Sequence, residues 1–131
     1  MVIDTSAVIA ILKDEPEREH FIELISSVPG AKISAACYAE SSMVVESRNG
    51  HAGLRDLKSF ILLSRITVAS VDEEQARIAS EAFSQYGKSR HPAALNLGDC
   101  FSYALSKQTG EPLLFKGDDF TKTDLVSATH G

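Results

Sequence analysis

Four acidic residues occupy separated points of the chain from which their carboxylates could meet: Asp4, Glu40, Asp99 and Asp118. Carboxylate oxygens are the preferred ligands of hard divalent cations such as Mg²⁺, which keeps several waters and is commonly held by one or two carboxylates. Four acids therefore suffice for one ion or two. Without a cation, two carboxylates about 4 Å apart would repel each other by roughly 4 kcal/mol at an effective dielectric constant near 20. Some of the cluster would then bind protons instead.

Three of the four acids also have an ordinary structural explanation. Asp4 follows a β-like pair and precedes a helix, where aspartate is a favoured N-cap. Asn96 and Asp99 have the spacing of a capping box at a helix start. Asp118 follows an apolar run, and an Asx turn after a strand accounts for one aspartate there. The same places also lie at strand ends, where open α/β sheets bind ligands, so both interpretations stand.

Glu40 is harder to explain as a structural residue. At 100° per residue it falls on the arc of its predicted helix that also carries Ala36, Met43 and Val44, which predicts apolar surroundings. A buried carboxylate there must take up a proton, pair with a base or bind a metal. An Arg or Lys partner and a metal ion are both compatible with the sequence.

Short β-like runs alternate with longer windows of helical periodicity. This pattern predicts an α/β fold in which a short central parallel sheet is flanked by helices on both faces. The predicted strands are Val2–Ile3, Lys32–Ser34, Ile66–Ala69 and Leu113–Phe115. Helices are predicted from a capping Asp14 onward and over the windows 35–48, 52–64, 72–86 and 97–109, the last ending at Gly110. Residues 87–96 are predicted to form a loop.

Length and composition predict one domain spanning residues 1–131, large enough to bury roughly two thirds of its unfolded surface. No apolar run approaches the ~20 residues of a membrane span, so we expect a cytoplasmic protein without membrane contact. The formal charge of -5 argues against a broad basic surface for duplex DNA. Cys37 and Cys100 form no CxxC pair and are expected to be small buried side chains.

The segments MVIDTSAVIAIL, ISAACYAESSMVVESR and LNLGDCFSYALSKQTGEPLLFKGDDF, with the trailing TD, together resemble the PIN-domain family. The resemblance is specifically to toxin subunits of VapBC-type (type II) toxin–antitoxin pairs and spans nearly the whole chain. It implies a single PIN-like domain that is a divalent-metal endoribonuclease, usually a homodimer, held inactive by a cognate VapB-type antitoxin. By motif position it implies catalytic roles for Asp4 in VIDTS, Glu40 in CYAES and Asp99 in GDC, with Asp4 and Asp99 holding the metal.

The fourth acid departs from the family pattern. Many relatives carry a single acid three residues before the terminal phenylalanine, whereas this chain has Gly117 there, followed by Asp118 and Asp119. We take Asp118 as the fourth acid and Asp119 as its alternative. Thr5 and Ser6 match the family's hydroxyl positions beside the first aspartate, which implies that they orient it or a water on the metal. Helix capping explains them equally well.

RNA hydrolysis suits these residue types because a divalent cation can activate a water near neutral pH and stabilise the charge that develops on a phosphodiester. Mg²⁺ is the expected ion, with Mn²⁺ as the alternative. An unpaired RNA strand or loop can be bent to bring one phosphate into a small acidic cleft. The cations that we would place near such a strand are Lys88, Arg90, His91 and Lys116; a solvated surface explains each of them as well.

Two other functions are alternatives to the nuclease. A haloacid-dehalogenase-like phosphatase also has an aspartate after its first strand but requires Asp-x-Asp, and Asp4-Thr5-Ser6 lacks the second acid. A catalytically silent PIN module would act only by pairing with the antitoxin, as a dimer that helps it bind operator DNA. The presence of all the core acids argues against such a loss of activity. Operator DNA is therefore expected to be a partner only through the antitoxin.

Overall fold

Four short parallel strands form the centre of the fold, and the computed structural model describes residues 1–129. They are β1 (Val2–Ile3), β2 (Lys32–Ser34), β3 (Thr67–Ala69) and β4 (Leu113–Leu114). The order across the sheet is β3-β2-β1-β4, and every pair is parallel. The carboxyl ends of all four strands therefore meet at one edge of the sheet. Residues 130 and 131 of the predicted domain lie outside the described residues.

Helices cover both faces of this sheet, as predicted. They are α1 (Thr5–Leu12), α2 (Arg18–Ser26), α3 (Ala35–Leu63), α4 (Glu73–Tyr86) and α5 (Leu97–Thr109). On one face, Ile3 and Leu114 belong to a core shared with α1, α2 and α3. On the other face, Val2 and Leu113 belong to a second core shared with α4 and α5. Successive strand residues alternate between the two cores because side chains alternate across a strand.

Most of the predicted boundaries are confirmed to within one or two residues. Strand β3 begins one residue late and β4 ends one residue early, which is within the usual uncertainty of element ends. The windows 35–48 and 52–64 form one continuous element, α3. It is interrupted only at Gly50, whose φ of 59° and ψ of -143° are not helical, so a kink replaces the predicted gap.

The predicted helix start at Asp14 is wrong. Helix α2 begins at Arg18, and Asp14 has a positive φ of 55°, whereas an N-cap residue requires an extended backbone. The turn between α1 and α2 holds this conformation through the Glu15 N–H, which donates to the Ala10 carbonyl over 2.9 Å. Asp14 therefore ends one helix region and does not begin the next.

The predicted loop between α4 and α5 is compact. Its ends are joined by hydrogen bonds from the Lys88 N–H to the Leu95 carbonyl and from the Leu95 N–H to the Tyr86 carbonyl, each 2.9 Å long. The loop therefore holds the start of α5 in a fixed place beside α4. Within residues 1–129, none of the helices has the length and apolar character needed to cross a lipid bilayer.

Candidate active site

Asp4 lies immediately after β1, and its carboxylate is almost fully buried, with 3% of the residue exposed. It is the N-cap of α1, so the capping role open from the sequence is confirmed. Oδ2 accepts hydrogen bonds from the Ser6 N–H (3.0 Å) and the Ser6 hydroxyl (2.6 Å), and Oδ1 accepts one from the Ser102 hydroxyl (2.5 Å). Capping uses one oxygen only. The second oxygen is held by a different helix, which a cap does not require.

The surroundings of Asp4 oppose its negative charge. Burial raises the pKa of Asp4 above its usual value, and the charge of Glu40 raises it further, while the hydrogen bonds from Ser102 and Ser6 act in the opposite direction. A carboxylate in this situation binds a proton or a cation more readily than one in water. Perturbed acids of this kind are concentrated at functional sites.

Glu40 lies on α3 with its carboxylate against the first turn of α5. A β-carbon added at Gly98 would lie 2.5 Å from Oε1 of Glu40 and 2.6 Å from Oε2. Because Gly98 has no side chain, the Glu40 carboxylate can pack directly against the backbone at this point. Gly98 directly precedes Asp99, so the Glu40 carboxylate lies beside the turn of α5 that carries Asp99.

The predicted apolar arc around Glu40 is wrong in one respect. Met43, which was expected to share buried surroundings, is 69% exposed, and the buried residues of this half of α3 are Cys37, Ser41 and Val45. Glu40 is half-buried at the border of that face. The reason is that Cys37 and Val45 lie in the core that α3 shares with α1 and α2, whereas Met43 lies outside that face, in solvent.

Asp99 occupies the third position of α5, and the predicted capping box is confirmed. The Asp99 N–H donates to the Asn96 side chain over 2.9 Å, and the Asn96 N–H donates to Asp99 Oδ2 over 3.0 Å. Burial raises the pKa of Asp99 to about 7, and the charges of three other acids add to this effect: Asp4, Asp119 and Glu40. Asp99 is thus a structural cap that is also electrostatically coupled to the other candidate acids.

The two candidates for the fourth acid are both exposed in the turns that follow β4. Asp119 is one of the three carboxylates whose charge raises the pKa of Asp99, and Asp118 is not one of these three. The Asp118 carbonyl instead closes a turn, accepting hydrogen bonds from the Thr121 hydroxyl (2.7 Å) and N–H (3.2 Å). The electrostatic effect on Asp99 therefore favours the alternative, Asp119, over Asp118 as the fourth acid.

The two hydroxyl residues after Asp4 have different partners. Ser6 binds Asp4 directly, and its Oγ also accepts the Lys116 N–H over 3.0 Å, which ties α1 to the end of β4. The Thr5 hydroxyl donates to the Cys37 carbonyl over 3.3 Å. In this structure Ser6 therefore orients the aspartate, whereas Thr5 contacts α3.

The four predicted RNA-contacting cations also differ in their surroundings. The Lys116 ammonium pairs with Glu15 (2.8 Å) and Glu17 (3.3 Å). Lys88 and Arg90 are exposed, and the Arg90 guanidinium lies 5.6 Å from the centre of an aromatic ring on α4. His91 is half-buried, and its Nδ1 accepts an N–H from the loop. Lys88 and Arg90 are therefore the ones most accessible to a ligand.

Ser102 and Cys37 were not predicted as site residues. Both are fully buried, and the Cys37 sulfur lies 3.1 Å from the Ser102 oxygen that donates to Asp4. Cys37 and Cys100 are free, buried thiols, as expected, but Cys37 has a polar partner. The signal available for Ser102 was its position three residues after Asp99, on the same side of a helix.

The donor set of this site suits a hard divalent cation. Within residues 1–129, no lysine, arginine or histidine forms an ion pair with Asp4, Glu40 or Asp99. In the same part of the chain, no three His, Cys, Asp or Glu side chains are grouped closely enough to hold a metal ion by themselves. Mg²⁺ is commonly held by one or two carboxylates and completes its shell with waters and substrate oxygens, so Asp4 and Asp99 have the donor chemistry of such a site.

The family of the chain follows from comparison with known proteins. The family model described as PIN domain matches residues 1–125. The chain belongs to the PIN-domain family. This assignment excludes the haloacid-dehalogenase-like alternative, which would require a different family.

Relatives of this PIN domain carry VapC names. A protein named Ribonuclease VapC from Mycolicibacterium smegmatis is 48% identical over 130 residues, covering 99% of this chain and 100% of that protein. Ribonuclease VapC30 from Mycobacterium tuberculosis is 45% identical over 127 residues, covering 97% of each. The resemblance to VapC toxins found in the sequence is thereby confirmed over nearly the full chain.

Solved structures share the fold of this PIN domain. VapC20 of Mycobacterium tuberculosis, described as a toxin that cleaves the sarcin–ricin loop, superposes with a TM-score of 0.76 at 18% identity over 95% of both chains. VapBC2 from Rickettsia felis, bound to a DNA fragment from its promoter, superposes with a TM-score of 0.74 at 16% identity over 96% of this chain and 94% of that one. At these identities the superpositions show the fold alone.

Proposed function

We propose that this protein is a divalent-metal-dependent endoribonuclease and the toxin of a VapBC-type, type II toxin–antitoxin pair. The observation that carries the proposal is the mutual effect of carboxylates from separate elements. Burial is the main reason that the pKa of Asp99 rises to about 7, and the charges of Asp4, Asp119 and Glu40 raise it further. Such a group of acids costs stability unless a cation compensates it, and a nuclease uses that cation.

Mg²⁺ is the proposed cofactor, with Mn²⁺ as the alternative. Asp4 and Asp99 are the proposed ligands, because they are the buried acids that follow β1 and begin α5. Glu40 and Asp119 add negative charge beside them. A bound divalent cation would supply Lewis-acid activation of a water and stabilise the charge that develops on the phosphate. The hydrogen bonds from Ser6 and Ser102 hold the Asp4 carboxylate in one orientation for that ion.

Single-stranded RNA or an RNA loop is the proposed substrate. A strand that can bend brings one phosphate to the recessed acids, whereas a duplex needs a wide basic surface that a chain of charge -5 does not favour. Lys88 and Arg90 are proposed as contacts to the RNA backbone because both are exposed on the loop before α5. Lys116 is proposed as a weaker contact, since two glutamates already pair with its ammonium group.

A VapB-type antitoxin is the proposed protein partner. Support comes from the relatives named VapC and from structural neighbours described as toxin–antitoxin complexes, including one from Klebsiella pneumoniae. We further propose that the chain works as a homodimer in the cytoplasm. Operator DNA is proposed to be reached only through the antitoxin.

Brief induced expression, with sequencing of RNA ends, tests this function. Wild-type protein should arrest growth and create new RNA ends, and Asp4→Asn should abolish both effects. Asp14→Asn is a matched control, because it makes the same change of charge at a turn residue whose side chain is 88% exposed. Arrest that persists unchanged in Asp4→Asn would contradict the nuclease and favour a silent module that acts by binding.

A further inference from the structure

Two buried side chains from different helices form a chain of polar contacts behind Asp4. Ser102 on α5 donates its hydroxyl to Asp4 Oδ1 over 2.5 Å. Cys37 on α3 lies behind it, with 3.1 Å between its sulfur and the serine oxygen and 3.4 Å to the Gly98 carbonyl. Both residues are 0% exposed, so water does not replace these contacts.

The direction of the hydrogen bonds in this chain can be assigned. The serine hydrogen belongs to Asp4, because a carboxylate is a much stronger acceptor than sulfur and the contact is short. Burial raises the pKa of Cys37 to about 12, so the residue stays a thiol. Its hydrogen is then available to the Ser102 oxygen or to the Gly98 carbonyl. The contacts therefore run from Cys37 to Ser102 to Asp4, and the Ser102 hydroxyl is the donor to the carboxylate.

The other oxygen of Asp4 is held in the same manner. Ser6 donates its hydroxyl to Oδ2 over 2.6 Å, and the Lys116 N–H donates to the Ser6 oxygen over 3.0 Å. Each carboxylate oxygen thus accepts a serine hydroxyl that has a further partner of its own. A carboxylate held on one side only can rotate broadly about χ2, whereas one held at both oxygens has a fixed plane.

Ser102 also connects the two proposed metal ligands. It lies on α5 three residues after Asp99, and its partner Asp4 is 98 residues away in sequence, at the end of β1. The bond joins the element that carries Asp99 to the residue that is the other proposed ligand. It therefore ties the Asp4 carboxylate to the helix that carries Asp99, in addition to orienting Asp4 itself.

We propose that Ser102, backed by the Cys37 thiol, is a positioning residue that holds Asp4 relative to Asp99 for binding of a divalent cation. The inference rests on the proposed function. Residues that orient metal ligands typically change metal affinity or activity by about 10- to 100-fold when removed. Ser102 should act in this range without contacting the RNA.

Ser106→Ala is the matched control for Ser102→Ala. Ser106 lies one turn further along α5, is 3% exposed and donates its hydroxyl to the Glu111 carbonyl over 2.6 Å, remote from the acids. The two variants remove the same atom from the same helix at similar burial. Both variants lose a buried hydrogen bond, so a difference in Mn²⁺ affinity or kcat between them reflects the contact of Ser102 with Asp4.

Three measurements are made on each purified full-length variant: Mn²⁺ affinity by calorimetry with the metal alone, kcat and KM for RNA cleavage, and Tm. Ser102→Ala should weaken Mn²⁺ binding and lower kcat, each by about tenfold or more, with KM for RNA unchanged. Ser106→Ala should keep wild-type Mn²⁺ affinity and kcat, even where its Tm falls. Equal Mn²⁺ affinity and kcat in the two variants would overturn the proposal.

Ser102→Cys keeps the proposal testable if Ser102→Ala does not fold. The substitution retains a side-chain donor of lower strength, so a folded Ser102→Cys, kept reduced to prevent a disulfide with Cys37, should bind Mn²⁺ more weakly than the wild type. Wild-type Mn²⁺ affinity and kcat in that variant would overturn the proposal. A wild-type protein that cleaves no RNA would instead contradict the proposed nuclease. The Mn²⁺ titrations would still decide the role of Ser102.

Discussion

The α-carbon of Gly98 lies so close to the Glu40 carboxylate that a β-carbon there would come within 2.5 Å of Oε1. Two helices from distant parts of the chain approach each other at this point, and the contact is a charged group against backbone. Gly98 adopts a helical conformation, so a special φ does not explain the glycine. The glycine is explained by the Glu40 carboxylate, which occupies the space that a side chain would need.

Gly98→Ala should separate activity from stability. Alanine favours the helix by up to about 1 kcal/mol relative to glycine, so the Tm should stay the same or rise. The Glu40 side chain must move, and a displacement of about 1 Å at a catalytic group can cost on the order of 100-fold in rate. Cleavage assays and thermal melts of Gly98→Ala measure both effects.

Leu97→Ala is the control for that substitution. Leu97 is the preceding residue in the same turn, but its side chain is 75% exposed, so its removal leaves Glu40 in place. Cleavage by Leu97→Ala should match the wild type. Wild-type cleavage by Gly98→Ala would show that the position of Glu40 is unimportant.

The metal-free protein should lose stability as the pH rises from about 4 to about 7. Folded Asp99 has a pKa of about 7 and holds a proton in this range, whereas the unfolded chain, with its ordinary value of 3.8, has released it. When the folded state binds the extra proton, the free energy of unfolding decreases with increasing pH. The raised pKa of Asp4 acts in the same direction.

Thermal melts in EDTA between pH 5 and pH 8 measure this effect. Asp99→Asn cannot titrate, so its Tm should fall less with rising pH than that of the wild type. Added Mg²⁺ should raise the wild-type Tm more at pH 8 than at pH 5, because protons compete with the cation at the lower pH. The same pH dependence of Tm in the wild type and in Asp99→Asn would show that the pKa of Asp99 is not raised in the folded protein.

The neighbouring aspartates after β4 should not be equivalent. Asp119 acts on the pKa of Asp99, so Asp119→Asn should lower cleavage by about tenfold, in the range found when groups around a metal site are lost. Asp118→Asn removes the same charge from the adjacent exposed position and should have little effect, since its carbonyl still closes the turn. The reverse ranking of the two variants in a cleavage assay would restore Asp118 as the fourth acid.

Local signals in the sequence were sufficient for the elements whose ends they mark. Helix α5 begins with a capping box at Asn96 and Asp99 and ends at Gly110, whose φ of 70° is left-handed, and its predicted range is the observed one. The strands were recognised from short apolar runs between helices. The start of α2 was misplaced because the acidic sequence after Asp14 resembles a cap, whereas tertiary contacts of the turn decide its conformation.

Sequence patterns do not predict contacts between residues that lie far apart in the chain. The bond between Ser102 and Asp4 joins residues 98 apart, and the ion pair between Lys116 and Glu15 joins residues 101 apart. Helical periodicity also assigned Met43 to a buried arc, although it is 69% exposed. Periodicity gives the angle between side chains, but only the packing of α3 on its neighbours decides which angle is buried.

Cleavage of a single-stranded RNA by purified protein, with and without divalent metal, tests the central claim most directly. Wild-type protein in Mg²⁺ or Mn²⁺ should cleave the RNA, EDTA should stop cleavage, and re-added metal should restore it. Asp4→Asn and Asp99→Asn should be inactive at every metal concentration, while Asp14→Asn should match the wild type. Cleavage by the wild-type protein that persists in EDTA, or by Asp4→Asn at the wild-type rate, would contradict a metal site built on these carboxylates.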